Sequence, residues 1–227
     1  MVPALRESDH RADGETRHIA RWLMAVLVIL VAAGCTPVLV PESDVAQPMP
    51  PMQKPDWPAG TEWQLMARWR VMIDGGGELW WRIDKKGKRT FTTVDSRGCR
   101  RMYEDWFTPP LMFRDCDFAR VDLVQEVERT GETWPLQLGR SWSYTVSGLD
   151  HRGTRWRSRK AKCFVDSAVQ VTIEAGSFDT YKVVCRSMGV RETWYMSPSL
   201  GTFAIYIREP DAYQTEYIEY VALDLPE

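Results

Sequence analysis

The clearest pattern in the chain is an alternation of apolar and polar residues with a period of two. It runs from Trp63 to Ile73 and returns at Trp142–Val146, Val169–Ile173 and Tyr181–Cys185. This is the period of a half-buried strand, and Gly-rich turns separate the alternating stretches. No segment after residue 58 has a helical period. The pattern therefore predicts an all-β fold, an antiparallel meander of about a dozen strands that forms a strongly curved sheet or an open barrel.

Glycines and prolines divide the rest of the chain. Gly75–Gly77 is predicted to turn the first hairpin, and it lacks the Lys-Ser/Thr of a phosphate loop. Seven of the 14 prolines lie between residues 36 and 58. Such a segment is expected to remain an extended tether, which would reach about 70 Å at ~3.1 Å per residue. The β-rich domain is then predicted to span residues 59–227, as one unit or as two halves, 59–130 and 131–227.

The N-terminal part of the chain carries an apolar run, Leu23–Ala33, of 11 residues. This is too short to span a membrane as a helix, which takes ~20 residues. With Arg17 and Arg21 before it and Gly34 after it, the run indicates a secretory signal. The alternatives are an uncleaved membrane anchor and a plain secretory signal without lipid.

The end of this run, Ala32-Ala33-Gly34-Cys35, resembles the lipobox of bacterial lipoproteins. The resemblance implies removal of a signal peptide, residues 1–34, and acylation of Cys35 with fatty acids such as palmitate. Two or three acyl chains would anchor the protein firmly in a membrane. Thr36 stands where an Asp would favour retention in the inner membrane of a Gram-negative bacterium. The expected location is therefore the periplasmic face of the outer membrane.

Four further cysteines follow Cys35, namely Cys99, Cys116, Cys163 and Cys185. An exported chain oxidises such cysteines to disulfides, and four cysteines allow three pairings. We predict the pairing of sequence neighbours, Cys99–Cys116 and Cys163–Cys185. A structural zinc site needs closer pairs such as Cys-x-x-Cys, which are absent, so no metal or cofactor is predicted.

Three sequence segments in the second half of the chain resemble motifs of uncharacterised periplasmic β domains of the DUF3108 kind. They are the stretches Trp134–Trp142, Glu174–Val183 and Trp194–Gly201. The likeness extends over about residues 60 to 225 and implies a structural role for these motifs. Gly176 and Gly201 would supply positive φ at turns, and Phe178 would cap the core. By analogy alone, such domains suggest the curved sheet of carriers that hold acyl chains.

The strongest charge feature is one basic segment: Arg152, Arg155, Arg157, Arg159, Lys160 and Lys162. As a strand, it would place its last three arginines on one face and Trp156 on the other. The segment is then either a charged sheet edge that prevents aggregation or a patch for anionic envelope groups. Those groups include lipid phosphates, lipopolysaccharide and peptidoglycan carboxylates.

Candidate catalytic groups are few. His151 is the one histidine after residue 34, and no Gly-x-Ser-x-Gly elbow accompanies it. Acidic residues at Glu104-Asp105 and Asp115–Asp117 would approach one another through a Cys99–Cys116 disulfide. Paired carboxylates can cleave glycosides or hold calcium, although calcium-loop spacing is absent. The net charge of −2 argues against a nucleic-acid partner.

These features predict a non-enzymatic, membrane-anchored lipoprotein that binds an envelope component or a partner protein. The alternatives are an acyl-chain carrier and a glycan hydrolase. An apolar cavity in the sheet would favour the carrier, and two carboxylates facing each other across a cleft would favour the hydrolase. Eleven tryptophans fit either a β core or an aromatic surface for sugar or lipid.

Overall fold

A computed structural model describes residues 40–70, 74–116, 123–149, 153–187, 189–211 and 214–224. Val40–Glu227 form one compact unit. Its described residues contain strands and turns without a helix, so none of them forms a helix long and apolar enough to cross a membrane. The strands are β1 (Glu42–Asp44), β2 (Glu62–Arg70), β3 (Asp74–Lys86), β4 (Phe91–Asp95), β5 (Arg100–Tyr103), β6 (Met112–Arg114), β7 (Leu123–Thr130), β8 (Ser141–Leu149), β9 (Arg155–Ile173), β10 (Gly176–Ser187), β11 (Val190–Ser197), β12 (Thr202–Asp211) and β13 (Gln214–Asp224).

The strands form a closed antiparallel barrel. From β2 to β13 each strand pairs with the next one along the chain, and β13 pairs with β2 from Thr215↔Arg70 to Asp224↔Glu62. Strand β1 is an additional strand, and its residues Glu42–Asp44 pair with Val169–Val171 of β9, beyond the part of β9 that pairs with β8. The predicted all-β meander is confirmed, and the barrel is closed. Both stretches considered as halves contribute strands to this one sheet.

The predicted turn at Gly75–Gly77 is wrong. These glycines lie inside β3 and pair with Ala67, Arg68 and Trp69 of β2. A Cβ on Gly76 would lie 2.7 Å from the carbonyl oxygen of Ala67, so the close approach of two strands accounts for glycine there. Gly176 and Gly201, in contrast, have the predicted positive φ, 135° and 64°.

The interior of the barrel is filled mainly by aromatic side chains. An eight-stranded barrel is just wide enough for strand side chains to fill, and twelve strands enclose a wider space. Here the connection between β5 and β6 enters that space with Trp106 and Phe107, which are 4% and 2% exposed. The Trp106 ring lies within 5.9 Å of several others. Those rings belong to Trp57, Trp63, Trp81, Phe91 and Tyr103.

The N-terminal segment Glu42–Trp57, which we call the strap, lies against the barrel. Met52 is buried and exchanges two backbone hydrogen bonds with Leu136, at 3.0 and 2.8 Å. The hydroxyl of Tyr181 donates to the carbonyl oxygens of Met49 and Pro50, at 2.9 and 3.0 Å. The expectation of a tether through residue 58 is therefore wrong for the strap. The apolar side chains between the prolines of the strap pack against the barrel, and they cover part of its hydrophobic core.

The strap lies at one end of the barrel, which we call the strap end. Because every strand is antiparallel to its neighbours, alternate turns share an end. The turns 87–90 and 174–175 lie at the strap end, together with the connections 104–111 and 131–140. The turn 96–99 lies at the opposite end. The two ends differ in character, since the buried strap residues and Trp106 close the first.

Replacement of Met52 by alanine tests whether the strap is part of the folded core. Removal of a fully buried methionine side chain is expected to lower the free energy of unfolding by about 2–5 kcal/mol. Urea denaturation measures the loss, and Gln53→Ala, at an exposed neighbouring position, should change little. Equal stability of the Met52 variant and the wild type would contradict the docking of the strap.

Candidate functional site

Both predicted disulfides are confirmed. Cys99 is bonded to Cys116 and Cys163 to Cys185, with Cα–Cα distances of 4.3 and 4.0 Å. Cys163 and Cys185 are register partners across β9 and β10, and both are buried. Cys35 lies outside the described residues, so its acylation stays a prediction.

The basic segment does not form the single face that the sequence predicts. The register between β8 and β9 shifts between Arg159, which pairs with Val146, and Trp156, which pairs with Gly148. Val146 and Leu149, which pairs with Arg155, lie on opposite faces of β8, so Arg159 and Arg155 lie on opposite faces of β9. This bulge separates residues that strict alternation would group. Arg155 forms an exposed ion pair with Glu126 at 3.1 Å.

Of the other residues of the predicted patch, some are not described by the structure, and Lys160 and Lys162 belong to a different surface. Arg152 and His151 are outside the described residues, and the side chain of Arg157 is not described. Lys160 and Lys162 point outward, because Ala161 and Cys163 between and after them are buried. The patch therefore divides, and its second part joins a different set of residues.

Lys160 and Lys162 line a groove on the outer face of β7–β10. This open groove has a volume of about 540 Å³. Its third cation is Arg186 of β10, which pairs in register with Lys162. Three hydroxyl side chains and Gly131 complete the polar lining. The hydroxyl residues are Thr130, Ser141 and Ser143.

The cations of this basic groove have no carboxylate partner among the residues that the structure describes. Within the described ranges, Lys160, Lys162 and Arg186 form no ion pair with a carboxylate, and the Arg186 guanidinium instead lies 5.8 Å from the Phe164 ring centroid. Like charges directly opposite each other across a sheet destabilise it. Lys162 also has strand partners on both sides, so protection of a sheet edge does not account for it. Sequence reasoning missed Arg186, which is distant in the chain and isolated in its local pattern.

A glycine shapes the floor of the basic groove. Gly131 has a φ of 91°, and a Cβ there would lie 3.4 Å from the Ser141 carbonyl oxygen and from two carbon atoms of Trp142. A residue with a side chain would be strained at this positive φ, and its Cβ would crowd Ser141 and Trp142 of β8, which line the groove. The turn after β7 therefore keeps this part of the outer surface open.

The acidic residues do not form a facing pair. Asp105 follows β5 at the strap end, whereas Asp115 follows β6 at the opposite end, so the disulfide does not bring them together. Asp115 forms an exposed ion pair with Arg100 at 2.8 Å. Asp117 is outside the described residues, and no group of three potential metal ligands occurs in the described ranges.

Asp105 instead holds two connections together. Its carboxylate accepts hydrogen bonds from the Trp134 indole at 2.7 Å and from the Phe107 backbone N–H at 3.2 Å. Arg129 lies 3.6 Å away, and the Asp105 side chain is 1% exposed. Burial raises the pKa of the Asp105 carboxyl, while these donors and the nearby cations oppose the shift. The hydrogen bonds and the nearby cation compensate for the burial of the carboxylate, so the role of Asp105 is structural.

Sequence reasoning also missed a charged group inside the barrel, away from the strap end. Glu192 precedes buried Trp194 by two residues and so shares its inward face. It accepts a hydrogen bond from the Tyr206 hydroxyl at 2.7 Å, and Arg208 lies 3.9 Å away. Burial raises the pKa of the Glu192 carboxyl. The sequence signal for this group was Glu192, a charged residue at a position where the alternation expects an apolar one. Glu192, Tyr206 and Arg208 mainly contact one another.

The strap is held at its start by a similar pair. Glu42 accepts hydrogen bonds from the Lys182 ammonium at 2.7 Å and the Tyr195 hydroxyl at 2.5 Å. Burial opposes ionisation of Glu42, but these two donors lower the pKa of its carboxyl overall. The contact fixes the first described strand, β1, to the side of the barrel.

The comparisons with known proteins add little beyond the fold. No family model matches the chain, and no curated protein matches it. It is similar to the hypothetical lipoprotein YmcC from Escherichia coli, with a TM-score of 0.41, 7% identity, and coverage of 69% of this chain and 86% of that one. A putative exported protein with a YmcC-like fold from Bacteroides fragilis gives a TM-score of 0.38, 9% identity, and coverage of 77% and 100%. TM-scores this low support no function, and the resemblance to DUF3108 domains stays a prediction.

The raised pKa of Asp105 predicts a specific pH dependence. Its carboxyl loses its proton less readily in the folded protein than in the unfolded one, so the unfolded state binds fewer protons between the two pKa values. The contribution of Asp105 to stability is then highest at low pH and falls as pH rises through this interval. Asp105→Asn keeps an acceptor but cannot ionise.

The test compares the unfolding free energies of the wild type and Asp105→Asn in urea from about pH 4 to about pH 7. The wild type should lose stability relative to the variant as pH rises. Parallel pH profiles for the two proteins would show that the carboxyl titrates alike in the folded and unfolded states.

Proposed function

We propose that this protein is a non-enzymatic, lipid-anchored lipoprotein on the periplasmic face of the outer membrane, and that it binds an anionic envelope glycan in the basic groove. The observation that carries the proposal is the set of three cations that form no ion pair with the described carboxylates, beside three hydroxyl groups. The cations are Lys160, Lys162 and Arg186. Cations beside hydroxyls suit a sugar polymer that carries carboxylates or phosphates. An open groove accepts a long chain more readily than a closed cavity does.

The packing of the barrel favours this function over the two alternatives. An acyl-chain carrier needs an apolar cavity, whereas the interior here is occupied by aromatic side chains. A hydrolase of the kind considered needs two facing carboxylates, whereas Asp105 and Asp115 lie at opposite ends of β5 and β6. Neither alternative gains a specific observation in its favour.

The variant Lys160→Gln/Lys162→Gln tests glycan binding. Both side chains are exposed, so the fold should remain intact. Binding to purified sacculi, measured by co-sedimentation, should weaken by about 2- to 30-fold, since an exposed ion pair contributes about 0.2–1 kcal/mol. Wild-type binding should also weaken with added salt, because exposed charges are screened.

The matched control is Lys88→Gln/Arg89→Gln, which removes the same charge from exposed positions far from the groove. It should bind sacculi like the wild type. Equal binding of sacculi by the groove variant and the wild type would refute the proposed site.

The lipid anchor has its own test in Cys35→Ser. This variant should no longer incorporate labelled palmitate and should leave the membrane fraction, because the acylated thiol is gone. If it remains in the membrane after alkaline washing, the apolar run Leu23–Ala33 is itself the anchor, and the lipid proposal fails.

A further inference from the structure

The docked strap leaves little free chain between the proposed lipid and the barrel. Strand β1 begins at Glu42, which β9, Lys182 and Tyr195 hold in place. Six residues, 36–41, separate Cys35 from Glu42. Fully extended, the chain from Cys35 to Glu42 reaches at most about 25 Å at ~3.6 Å per residue. If Cys35 carries lipid, the barrel is confined to the membrane surface.

The chain enters the barrel at the strap end. Glu42–Asp44 pair with Val169–Val171, close to the turn 174–175 that joins β9 to β10. The turn 87–90 between β3 and β4 lies at the same end. A short tether attached at this end keeps these turns nearer to the headgroups than the turns at the opposite end.

A pocket of about 280 Å³ lies where the strap meets the β3–β4 turn. Trp57 of the strap and Phe91 of β4 contribute its aromatic surface. Four cations and one carboxylate line it, which leaves three positive charges in excess. The cations are Lys54, Lys86, Lys88 and Arg89, and the carboxylate is Asp56.

Two of these four cations are already engaged. Lys86 is bonded to Asp56, and the Lys54 ammonium donates to the carbonyl oxygen of Glu104 at 3.0 Å. Lys88 and Arg89 are exposed and make no ion pair with the residues that the structure describes. The pocket therefore presents two uncommitted cations beside an aromatic surface.

We propose that this pocket binds the phosphate of an anionic lipid headgroup at the membrane surface. The proposal rests on the lipid anchor of the proposed function. Both the short chain to Cys35 and the excess positive charge favour a headgroup over a soluble ligand. Near an anionic membrane, each exposed basic residue contributes a favourable interaction that falls off within a Debye length.

The attraction is confined to one side of the strap end. The turn 174–175 at this end carries the exposed carboxylate of Glu174, which anionic headgroups repel, and the exposed Glu132 is already paired with Arg140 at 3.6 Å. The barrel should therefore tilt so that the β3–β4 turn approaches the bilayer. The basic groove, on the outer face of β7–β10, lies across the ring from this turn.

The test uses the mature acylated protein in two kinds of vesicle, one of phosphatidylcholine alone and one that also contains phosphatidylglycerol. Amide hydrogen exchange of residues 86–91 should be several-fold slower in the anionic vesicles, while the turn 96–99 at the opposite end should exchange alike in both. Lys88→Gln/Arg89→Gln should abolish the difference, and Lys160→Gln/Lys162→Gln should retain it.

Several outcomes would overturn the proposal. Equal exchange of residues 86–91 in both vesicles would show that the turn does not recognise the headgroup. Protection by inorganic phosphate in phosphatidylcholine vesicles would assign the pocket to free phosphate. Loss of the difference in both double variants alike would indicate a general charge effect.

A second measurement separates this proposal from the anchor. If Cys35 carries no lipid, unmodified protein can be sedimented with the same vesicles. Lys88→Gln/Arg89→Gln should then lower the partition into anionic vesicles by about 30-fold, since each basic residue contributes about fivefold. An unchanged partition would refute the headgroup site whether or not the protein is acylated.

Discussion

A barrel of twelve strands encloses more space than its own inward side chains fill, and the rest of this structure depends on how that space is occupied. The connection after β5 supplies Trp106 and Phe107, and the strap supplies Trp57 and Met52. Asp105 holds the connection after β5 in place, because its carboxylate accepts hydrogen bonds from the Trp134 indole and from the Phe107 backbone N–H. The filled interior in turn leaves the outer surface and the strap end as the places where ligands can bind.

This constraint explains which parts of the fold the sequence predicts. A period of two marks strands such as β8, in which buried residues alternate with residues that are at least partly exposed. Both disulfides join strands or turns that are close in the chain. The alternation does not reveal Gly75–Gly77 as strand residues, since the close approach of Ala67 is a tertiary contact. The strap resembles a tether because its proline content is a local property, whereas its docking depends on a surface built from distant residues.

The candidate site was harder to predict, because it too depends on contacts between residues that are distant in the chain. Lys160 and Lys162 are neighbours in the sequence, but Arg186 joins them only through the register of β9 and β10. The bulge opposite Val146 and Gly148 then places Arg155 and Arg159 on different faces, although their spacing suggests one. Such irregularities in register have no reliable mark in the sequence. Charge was detectable from the chain, and its arrangement on the surface was not.

If the outer face of β9 and β10 binds the glycan, bound sacculi must cover the lysines of the basic groove. Modification by an amine-reactive reagent, mapped by mass spectrometry with and without sacculi, measures this cover. Sacculi should shield Lys160 and Lys162, while Lys85 and Lys88 should remain as reactive as in the free protein. Unchanged reactivity of Lys160 and Lys162 under conditions where the protein sediments with sacculi would exclude the basic groove as the glycan site.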